Sequence, residues 1–406
     1  MADHSDELRR QRQAIRLRLK GKRPCQIGKR IPRNREWLRK WWLRFRKQGW
    51  QGLHERSRRP HNSPQAYSEH ARSVVLAVRQ ALEHRQVGLI GPRAIAREIL
   101  SQRLLPKVPS LATIKRILKH AGITSPAHLL ALAYYPRPER PVAAVWQACD
   151  WLARYLPGGS KLFVFHTVDL HTHALAQTIR TDKTVASVRA HLLETWQTLG
   201  LPERLQLDND AAFSGGERTA RRFGSIVRLC LYVGIEILFL PPREPKRNGV
   251  VERVNGLWVR HFWERNHFAD LCEVLKEQAV FLDWYGHEYT PPALGGRTVA
   301  QARRTVKRRR LGKQAVRDIP AGLPITEGRV HFVRKVQDDG TIHLLGESWK
   351  VSRRLAHQYV WATIQVGCGR LEVYHQRSKR AKFRLVKTFE YQLPEKVVRL
   401  RQEFKR

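Results

Sequence analysis

The hydrophobic period of the chain changes near Val142, and no other feature narrows the possible folds as much. Before this point, apolar residues recur at helical spacing in short segments that end at Gly or Pro. After it, three apolar segments of strand type follow one another, and helices then alternate with strands. Helical side chains repeat about every 3.6 residues and strand side chains every second residue. The sequence therefore predicts an α/β multi-domain protein with an all-α N-terminal region and a mixed sheet.

The α/β region is predicted to begin with three successive strands, at 142–153, 161–170 and 173–181. The alternating elements that follow are a helix at 184–199, a strand at 203–207, a helix at 218–233, a strand at 235–240 and a helix at 248–266. From Gly328 onward, short strand-like segments at regular spacing predict a small β-barrel.

The first 60 residues are strongly basic and predict three short helices, the pattern of a helix-turn-helix module. The third helix carries an apolar stripe at i, i+4 and i+8, formed by Trp37, Trp41 and Phe45. The predicted DNA contacts are the basic residues beside this stripe, Arg35, Arg39 and Lys40. The alternative is an amphipathic helix that only packs and leaves its charges in water. A linker rich in Gly, Pro and Ser is predicted at 49–64.

Residues 66–122 predict a second module of the same kind, with a Pro-containing turn before a basic last helix. Ser110 is predicted to cap this helix, and Gly122 follows it as a stop signal. The predicted DNA contacts of the second module are Lys115, Arg116 and Lys119. The alternative is a small helical bundle that does not touch DNA. A second linker, with four prolines, is predicted at 123–142.

The charge of the chain indicates its partner. Lys and Arg total 76 against 35 Asp and Glu, which gives a net charge of +41. This charge opposes compaction by self-repulsion unless a polyanion neutralises it, and DNA or RNA binding is favoured by the release of counterions. The alternative is a generally basic protein from a genome that over-uses Arg.

Cysteine usage and hydropathy favour the cytoplasm. The five cysteines are scattered and form no C-x-x-C pair, so neither a disulfide framework nor a cysteine zinc site is expected. The N-terminus lacks the apolar segment of a secretory signal, and the longest apolar stretch, at 229–240, is too short to span a bilayer. We therefore expect a cytoplasmic, nucleoid-associated protein without a membrane partner.

Three carboxylates of this acid-poor chain stand at positions that suit catalysis. Asp150 is expected at the end of the first strand, and Asp208 directly follows the strand at 203–207. Glu252 lies one turn into the next helix, with Asn248 as a plausible cap. Clustered carboxylates repel one another unless a divalent cation lies between them, and two Mg²⁺ or Mn²⁺ ions can promote displacement at a phosphate. The alternative gives each acid an ordinary turn or helix-dipole role.

Basic residues flank the third carboxylate on both sides. They are Lys246, Arg247 and Arg253, which are predicted to hold DNA phosphates. The alternative is that their charges are simply solvated.

Three segments of the α/β region contain the candidate carboxylates, WQACD, LDNDAAF and PKRNGVVERVNG. They resemble the signature of the retroviral-integrase-type catalytic core, which DDE transposases of bacterial insertion sequences also carry. The last segment matches the family pattern N-G-x-x-E-R. FLDWYGHEYTPPALGGRTVAQA is similar to the segment that closes this core, and GRVHFVRKVQDDGTIHLLGESWKV resembles the C-terminal β-barrel of many such transposases. Two departures from the pattern are Asp210, in place of the glycine of D-N-G, and Gly286, in place of the asparagine of W-Y-N.

The resemblance covers nearly the whole chain and implies an RNase H-like core at 140–302 and a small β-barrel at 325–395. It implies that Asp150, Asp208 and Glu252 form a catalytic triad that holds two Mg²⁺ (or Mn²⁺) ions. The implied reaction is 3′-end cleavage followed by strand transfer, with double-stranded element ends and target DNA as partners. A homo-oligomer on DNA is expected as well, and an accessory ATPase is a further partner that the family allows.

Two other classes of function fit parts of the sequence. A catalytically inactive DNA-binding regulator with the same fold would explain the charge and both helical modules. A structure-selective nuclease would cleave DNA without joining ends, and it has little use for two sequence-reading modules.

Overall fold

A computed structural model describes residues 2–54, 67–85, 87–123, 134, 136, 145–214 and 221–405, without the side chains of residues 2–5, 214, 245 and 246. The chain divides into two compact units, Met1–Ser68 and Glu69–Arg406. Most of the two predicted linkers lies outside the described residues. The finer division into domains at 1–60, 66–122, 140–302 and 325–395 stays a prediction. No helix of the described residues is long and apolar enough to cross a membrane.

The N-terminal unit contains the three predicted helices, α1 (Ala2–Leu19), α2 (Pro24–Arg30) and α3 (Arg35–Gln48). The side chain of Asn34 caps α3 by accepting a hydrogen bond from the Trp37 amide at 2.8 Å. A 3₁₀ turn follows at Gly49–Leu53, and Leu53 is fully buried against α1 and α3. The expectation of a linker from residue 49 is therefore wrong for its first residues, because Leu53 completes the core of the unit.

The second unit begins with the other predicted helical module, α4 (Glu69–Glu83), α5 (Pro92–Ser101) and α6 (Leu111–His120). The Ser110 hydroxyl accepts a hydrogen bond from the Thr113 amide at 3.2 Å, so the predicted cap is confirmed. One apolar core joins the three helices through the buried side chains Val75, Ile95 and Ile114.

The mixed sheet of the second unit is built from the five predicted core strands. They are β1 (Trp146–Tyr155), β2 (Lys161–Asp169), β3 (Leu175–Arg180), β4 (Arg204–Leu207) and β5 (Glu236–Phe239). The strands lie in the order β3-β2-β1-β4-β5, with β1, β2 and β3 antiparallel and β1, β4 and β5 parallel. This order gives the RNase H-like core that the sequence predicts.

Helices cover both faces of this sheet. They are α7 (Val185–Thr198), α8 (Ala211–Ser214), α9 (Ser225–Tyr232), α10 (Gly249–His261), α11 (Leu271–His287), α12 (Val299–Arg304) and α13 (Lys313–Arg317). Because strand side chains alternate, Cys149 of β1 packs on the side of α7 and α9, whereas Ala148 packs on the side of α10 and α11. The described part of α9 begins at Ser225, later than the predicted residue 218, because Gly224 is extended at its N-terminus.

The C-terminal part of the chain adds eight strands. They are β6 (Ile325–Thr326), β7 (Arg329–Lys335), β8 (Thr341–Leu344), β9 (Glu347–Lys350), β10 (Tyr359–Gln365), β11 (Arg370–His375), β12 (Arg384–Glu390) and β13 (Val397–Val398). β7 pairs in parallel with β5, and β10, β11 and β12 continue the core sheet to nine strands. The other four form two separate two-stranded sheets, β6 with β13 and β8 with β9. The short strands occur where they were predicted, but within the described residues their pairing is an open extension and not a small closed barrel. The edge of β5 would otherwise lack a hydrogen-bonding partner, and β7 supplies one.

Candidate active site

The register of the sheet brings Asp150 and Asp208 to one face. Ala148 of β1 is paired with Gln206 of β4, and each aspartate stands two residues further along its chain. Neighbouring strands lie about 4.8 Å apart, and residues two apart share a face. Asp208 directly follows β4, as expected. Asp150 lies in the middle of β1 and not at its end, because β1 stays paired with β2 as far as Tyr155.

Helix α10 places Glu252 against the same strand. Asn248 and Asn255 lie on the face of the helix that carries Glu252, four residues before it and three after it. The Asn248 side-chain amide donates to the Cys149 carbonyl at 3.3 Å, and that of Asn255 donates to Asp150 Oδ2 at 3.0 Å. Glu252 is held between two contacts to β1 and therefore lies close to Asp150.

Asn248 does not cap α10 as the sequence suggested. Its side chain makes no capping hydrogen bond. Its Oδ1 accepts a hydrogen bond from Gln206 Nε2 at 2.8 Å, while its amide binds the Cys149 carbonyl. Asn248 is buried and joins the start of α10 to β1 and β4.

The three predicted catalytic carboxylates line one cavity of about 320 Å³. Its acidic lining consists of Asp150, Asp208, Asp210, Glu244 and Glu252. Two of these acids have cationic partners, since Lys183 Nζ lies 3.0 Å from Asp210 and the Arg247 guanidinium is hydrogen-bonded to Glu244. Among the described residues, no lysine or arginine lies within ion-pair distance of Asp150 or Asp208.

Burial and mutual repulsion disfavour the charged forms of the two aspartates. Burial, the largest effect, and the charges of Asp208 and Glu252 together raise the pKa of Asp150 to about 7, against the hydrogen bonds that lower it. The pKa of Asp208 is also raised, chiefly by burial, with the Asp210 charge acting in the same direction. The carboxylate cavity is therefore acidic, although the chain as a whole has a net charge of +41.

The donor chemistry of the cavity suits a hard divalent cation. Among the described residues, no three acidic, histidine or cysteine side chains already have the arrangement of a metal site. The candidate ligands are nevertheless all oxygens, and two of them are partly buried carboxylates whose charges are poorly compensated. Such a set favours Mg²⁺ or Mn²⁺ over the softer metals.

We expect Asp150→Asn to stabilise the metal-free protein. The pKa of Asp150 is about 7 in the folded state against an ordinary value of 3.8, so the folded protein loses stability as the pH rises from about 4 to 7. Asn is the same size, carries no charge and keeps one of the two hydrogen bonds that the Asp150 carboxylate accepts. In EDTA, the melting temperature of the variant should exceed that of the wild type by a few degrees at pH 8, and the difference should shrink towards pH 4. Equal melting temperatures at pH 8 would contradict the expectation that the ionised Asp150 carboxylate destabilises the folded, metal-free protein.

Two site residues escaped the sequence analysis, Asn255 and His166. His166 Nδ1 lies 2.6 Å from Asn255 Oδ1, and Asn255 donates through Nδ2 to Asp150. Burial lowers the pKa of His166 to about 4, so its ring is neutral at pH 7. Because Asn255 Oδ1 can only accept, His166 carries its proton on Nδ1, and the two side chains orient Asp150. The sequence signal that could have identified Asn255 as a site residue is its position three residues after Glu252, on the same face of the helix.

The predicted DNA-contacting residues of the helical modules are exposed. In α3, Leu38 and Trp41 are buried, whereas the predicted contacts Arg35, Arg39 and Lys40 are exposed. In α6, Ile114 and Leu118 are buried, and the exposed basic residues are Lys115, Arg116 and Lys119. Within each module, the last helix therefore presents a basic surface opposite its apolar face.

The three basic residues near Glu252 have different surroundings. Arg253 is exposed, and it lines a second cavity of about 330 Å³ together with Arg93, Arg97 and Arg260. The Arg247 side chain is 3% exposed, is paired with Glu244 and lies over the Tyr359 ring at 4.5 Å. It is not available to a DNA phosphate in this structure, contrary to expectation, because it neutralises an acid of the carboxylate cavity. The side chain of Lys246 lies outside the described residues.

One family model matches part of the chain. The model of the leucine-zipper of insertion element IS481 matches residues 35–80. The described part of this segment consists of α3, the 3₁₀ turn and the first part of α4, so it is not one continuous zipper helix. Gly49 ends α3 with a positive φ of 62°.

Solved retroviral structures are also similar to the chain. A simian T-cell lymphotropic virus intasome in complex with a PP2A regulatory subunit is 18% identical, with 75% of this chain and 96% of that chain covered and a TM-score of 0.35. The HTLV-2 integrase catalytic core in complex with magnesium is 18% identical, with 39% and 95% covered and a TM-score of 0.30. The catalytic core of BIV integrase is 18% identical, with 39% and 93% covered and a TM-score of 0.27. At these TM-scores the likenesses carry no weight, and the fold class follows from the strand order.

The order and directions of the core strands are those of an RNase H-like fold. Residues 35–80 are similar to the leucine-zipper of insertion element IS481. Both findings agree with the predicted resemblance to insertion-sequence transposases that carry an integrase-type core.

Proposed function

We propose that the protein is a DDE transposase that cleaves the 3′ ends of an insertion sequence and joins them to target DNA. The observation that supports this most directly is the cavity that Asp150, Asp208 and Glu252 line together. Asp150 lies on β1, Asp208 directly after β4 and Glu252 on α10, and these elements are distant in sequence. Their convergence in one acidic cavity favours a catalytic role over three separate turn or cap roles.

Each side chain of the cavity has a separate role in this proposal. Asp150 and Asp208 would hold one Mg²⁺ or Mn²⁺ ion, and Asp150 and Glu252 a second. When bound, these ions would neutralise the charge that develops on the attacking and leaving oxygens of the phosphodiester. Asn255 holds the Asp150 carboxylate in one orientation through its 3.0 Å hydrogen bond. Lys183 neutralises Asp210, which leaves Asp208 as the acid of that loop with a metal-binding role.

DNA binding would rest on the basic surface of the protein. The exposed basic residues of α3 and α6 are suited to contact terminal repeats, and phosphate contacts would position the DNA while some side chains read bases. Arg253 adjoins Glu252 on α10 and is exposed, so it would hold a phosphate near the cavity. We expect a homo-oligomer that bridges two DNA ends, and an accessory ATPase remains compatible with this proposal.

The test is incubation of the protein with Mg²⁺ and a labelled DNA duplex carrying the element end, with Glu252→Gln as the matched variant. This change retains the size of the side chain but removes its charge and replaces one accepting oxygen with a donating NH₂ group. We expect the wild type to give first a nicked and then a joined product, and the variant to give neither. Gel resolution of the labelled strands distinguishes the two products.

The same experiment separates the alternative functions. An inactive DNA-binding regulator would retard the duplex in a gel without cleaving it, in the wild type as in the variant. A nuclease would give cut strands but never a joined product. Equal product from both proteins would remove Glu252 from the site.

A further inference from the structure

Arg334 is a buried arginine of β7 in the C-terminal extension of the sheet. Arg334 is 6% exposed, and its guanidinium group contacts residues from three parts of the chain. Nη2 donates to Asn209 Oδ1 at 2.9 Å, Nη1 to the Leu240 carbonyl at 3.2 Å, and Nε to the His343 carbonyl at 3.1 Å. A buried guanidinium requires such partners, because an unpaired charge is costly in the interior.

Two of these contacts reach the walls of the carboxylate cavity. Asn209 follows Asp208 directly, and Leu240 opens the Pro-rich loop that leads towards α10; both residues line the cavity. Asn209 Nδ2 also donates to the Leu240 carbonyl, so the two walls are joined to each other as well as to Arg334. Arg334 therefore holds together the loop that carries Asp208 and the loop that faces it.

The shape of the guanidinium explains why this position holds Arg. Its planar fork presents donors in three directions, which a lysine ammonium on a flexible stem does not reproduce. The Arg334 charge also lies over the Phe332 ring at 5.0 Å, which fixes the side chain on β7. The third contact, to His343, ties the same group to the β8 strand.

We propose that Arg334 is a positioning residue that makes the C-terminal strands part of the active site. It acts through Asn209 and Leu240 and sets the position of Asp208. The role in metal binding rests on the proposed function, whereas the rigid coupling of the two loops does not. The C-terminal extension of the sheet would thus complete the site.

The test compares Arg334→Lys with Arg329→Lys, a matched change on the same strand. Arg329 pairs with Glu236 and makes no hydrogen bond to Asn209 or Leu240. The first readout is amide hydrogen exchange in residues 205–213 and 238–244 of the metal-free full chain. We expect faster exchange in both segments for Arg334→Lys and little change for Arg329→Lys. This readout needs neither metal nor catalysis.

The second readout is the Mg²⁺ concentration that gives half-maximal cleavage of the labelled element end. Loss of a group that orients a metal ligand typically lowers metal affinity or activity about 10–100-fold. We expect Arg334→Lys to raise the half-maximal concentration by about tenfold or more, with unchanged affinity for DNA in a gel-shift assay. Arg329→Lys should leave the half-maximal concentration within about twofold of wild type.

Asn209→Ala keeps the test decisive if the arginine variant does not fold. This variant removes the hydrogen bond between Arg334 and Asn209 while Arg334 remains in place. It should raise the rate of amide hydrogen exchange in residues 205–213. Unchanged exchange in a folded Arg334→Lys or Asn209→Ala protein would overturn the positioning role. Raised exchange in a protein that never cleaves DNA would retain the positioning role and reject the proposed function.

Discussion

Asp208→Asn is expected to abolish both cleavage and joining, with a loss of about 10³-fold or more, on the order of 4 kcal/mol in activation free energy. Asp208 Oδ1 accepts the Asp210 amide at 3.0 Å, and the Oδ1 of an asparagine can accept the same hydrogen bond. The loop therefore keeps its shape and loses only a negative charge that faces Asp150. The measurement is the single-turnover rate of strand cleavage at saturating Mg²⁺.

Asp210→Asn is the matched variant on the same loop. Asp210 Oδ1 accepts the Ala212 amide at 2.9 Å, which an asparagine can also do, and its charge is paired with Lys183. A partly exposed ion pair of this kind contributes about 1 kcal/mol or less, so we expect the rate to fall less than about tenfold. A larger loss for Asp210→Asn than for Asp208→Asn would transfer the metal-binding role to Asp210. Lys183→Gln, which removes the other partner of this ion pair, should also lower the cleavage rate by less than about tenfold.

Local signals in the sequence predicted much of the core. The helix predicted at 184–199 is α7, and Thr184 caps it by accepting from the Ser187 amide at 3.3 Å. Helix signals of this kind lie within one turn, so the sequence alone reveals them. The convergence of the three carboxylates was predictable in part, because neighbouring strands and an adjacent helix can bring side chains into one cleft. The position of Asp150 was not, since it lies in the middle of β1 and not at its end.

Contacts between distant segments could not be predicted in the same way. His166 and Asn255 are 89 residues apart, and Arg334 lies 125 residues from Asn209. No periodicity connects such pairs, because each depends on how whole elements pack. The burial of Arg247 escaped prediction for the same reason, since the Tyr359 ring that covers it lies in a distant segment of the chain.

The pairing of β7 with β5 is the largest difference from expectation. Regularly spaced short strands predict that a β-structure forms but do not specify its partners, because a strand with an apolar face can pair with any compatible edge. Here the Phe332 ring of β7 stacks on the Phe239 ring of β5, with centroids 5.2 Å apart. One hydrophobic core consequently includes side chains from both the catalytic core and the C-terminal strands.

Phe332→Ala is expected to destabilise the second unit as a whole by about 3–5 kcal/mol, the usual loss for a fully buried phenylalanine. Phe332 is 2% exposed and belongs to the same apolar cluster as Trp196 of α7. If the C-terminal strands and the catalytic core form one cooperative structure, Phe332→Ala and Trp196→Ala should shift the same transition in urea unfolding followed by far-ultraviolet circular dichroism. Leu385→Ala on the edge strand β12 is the control, because Leu385 is 53% exposed and its loss should change stability by less than about 0.5 kcal/mol. Two separate transitions, one sensitive to each core variant, would instead mean that the C-terminal strands fold as an independent domain.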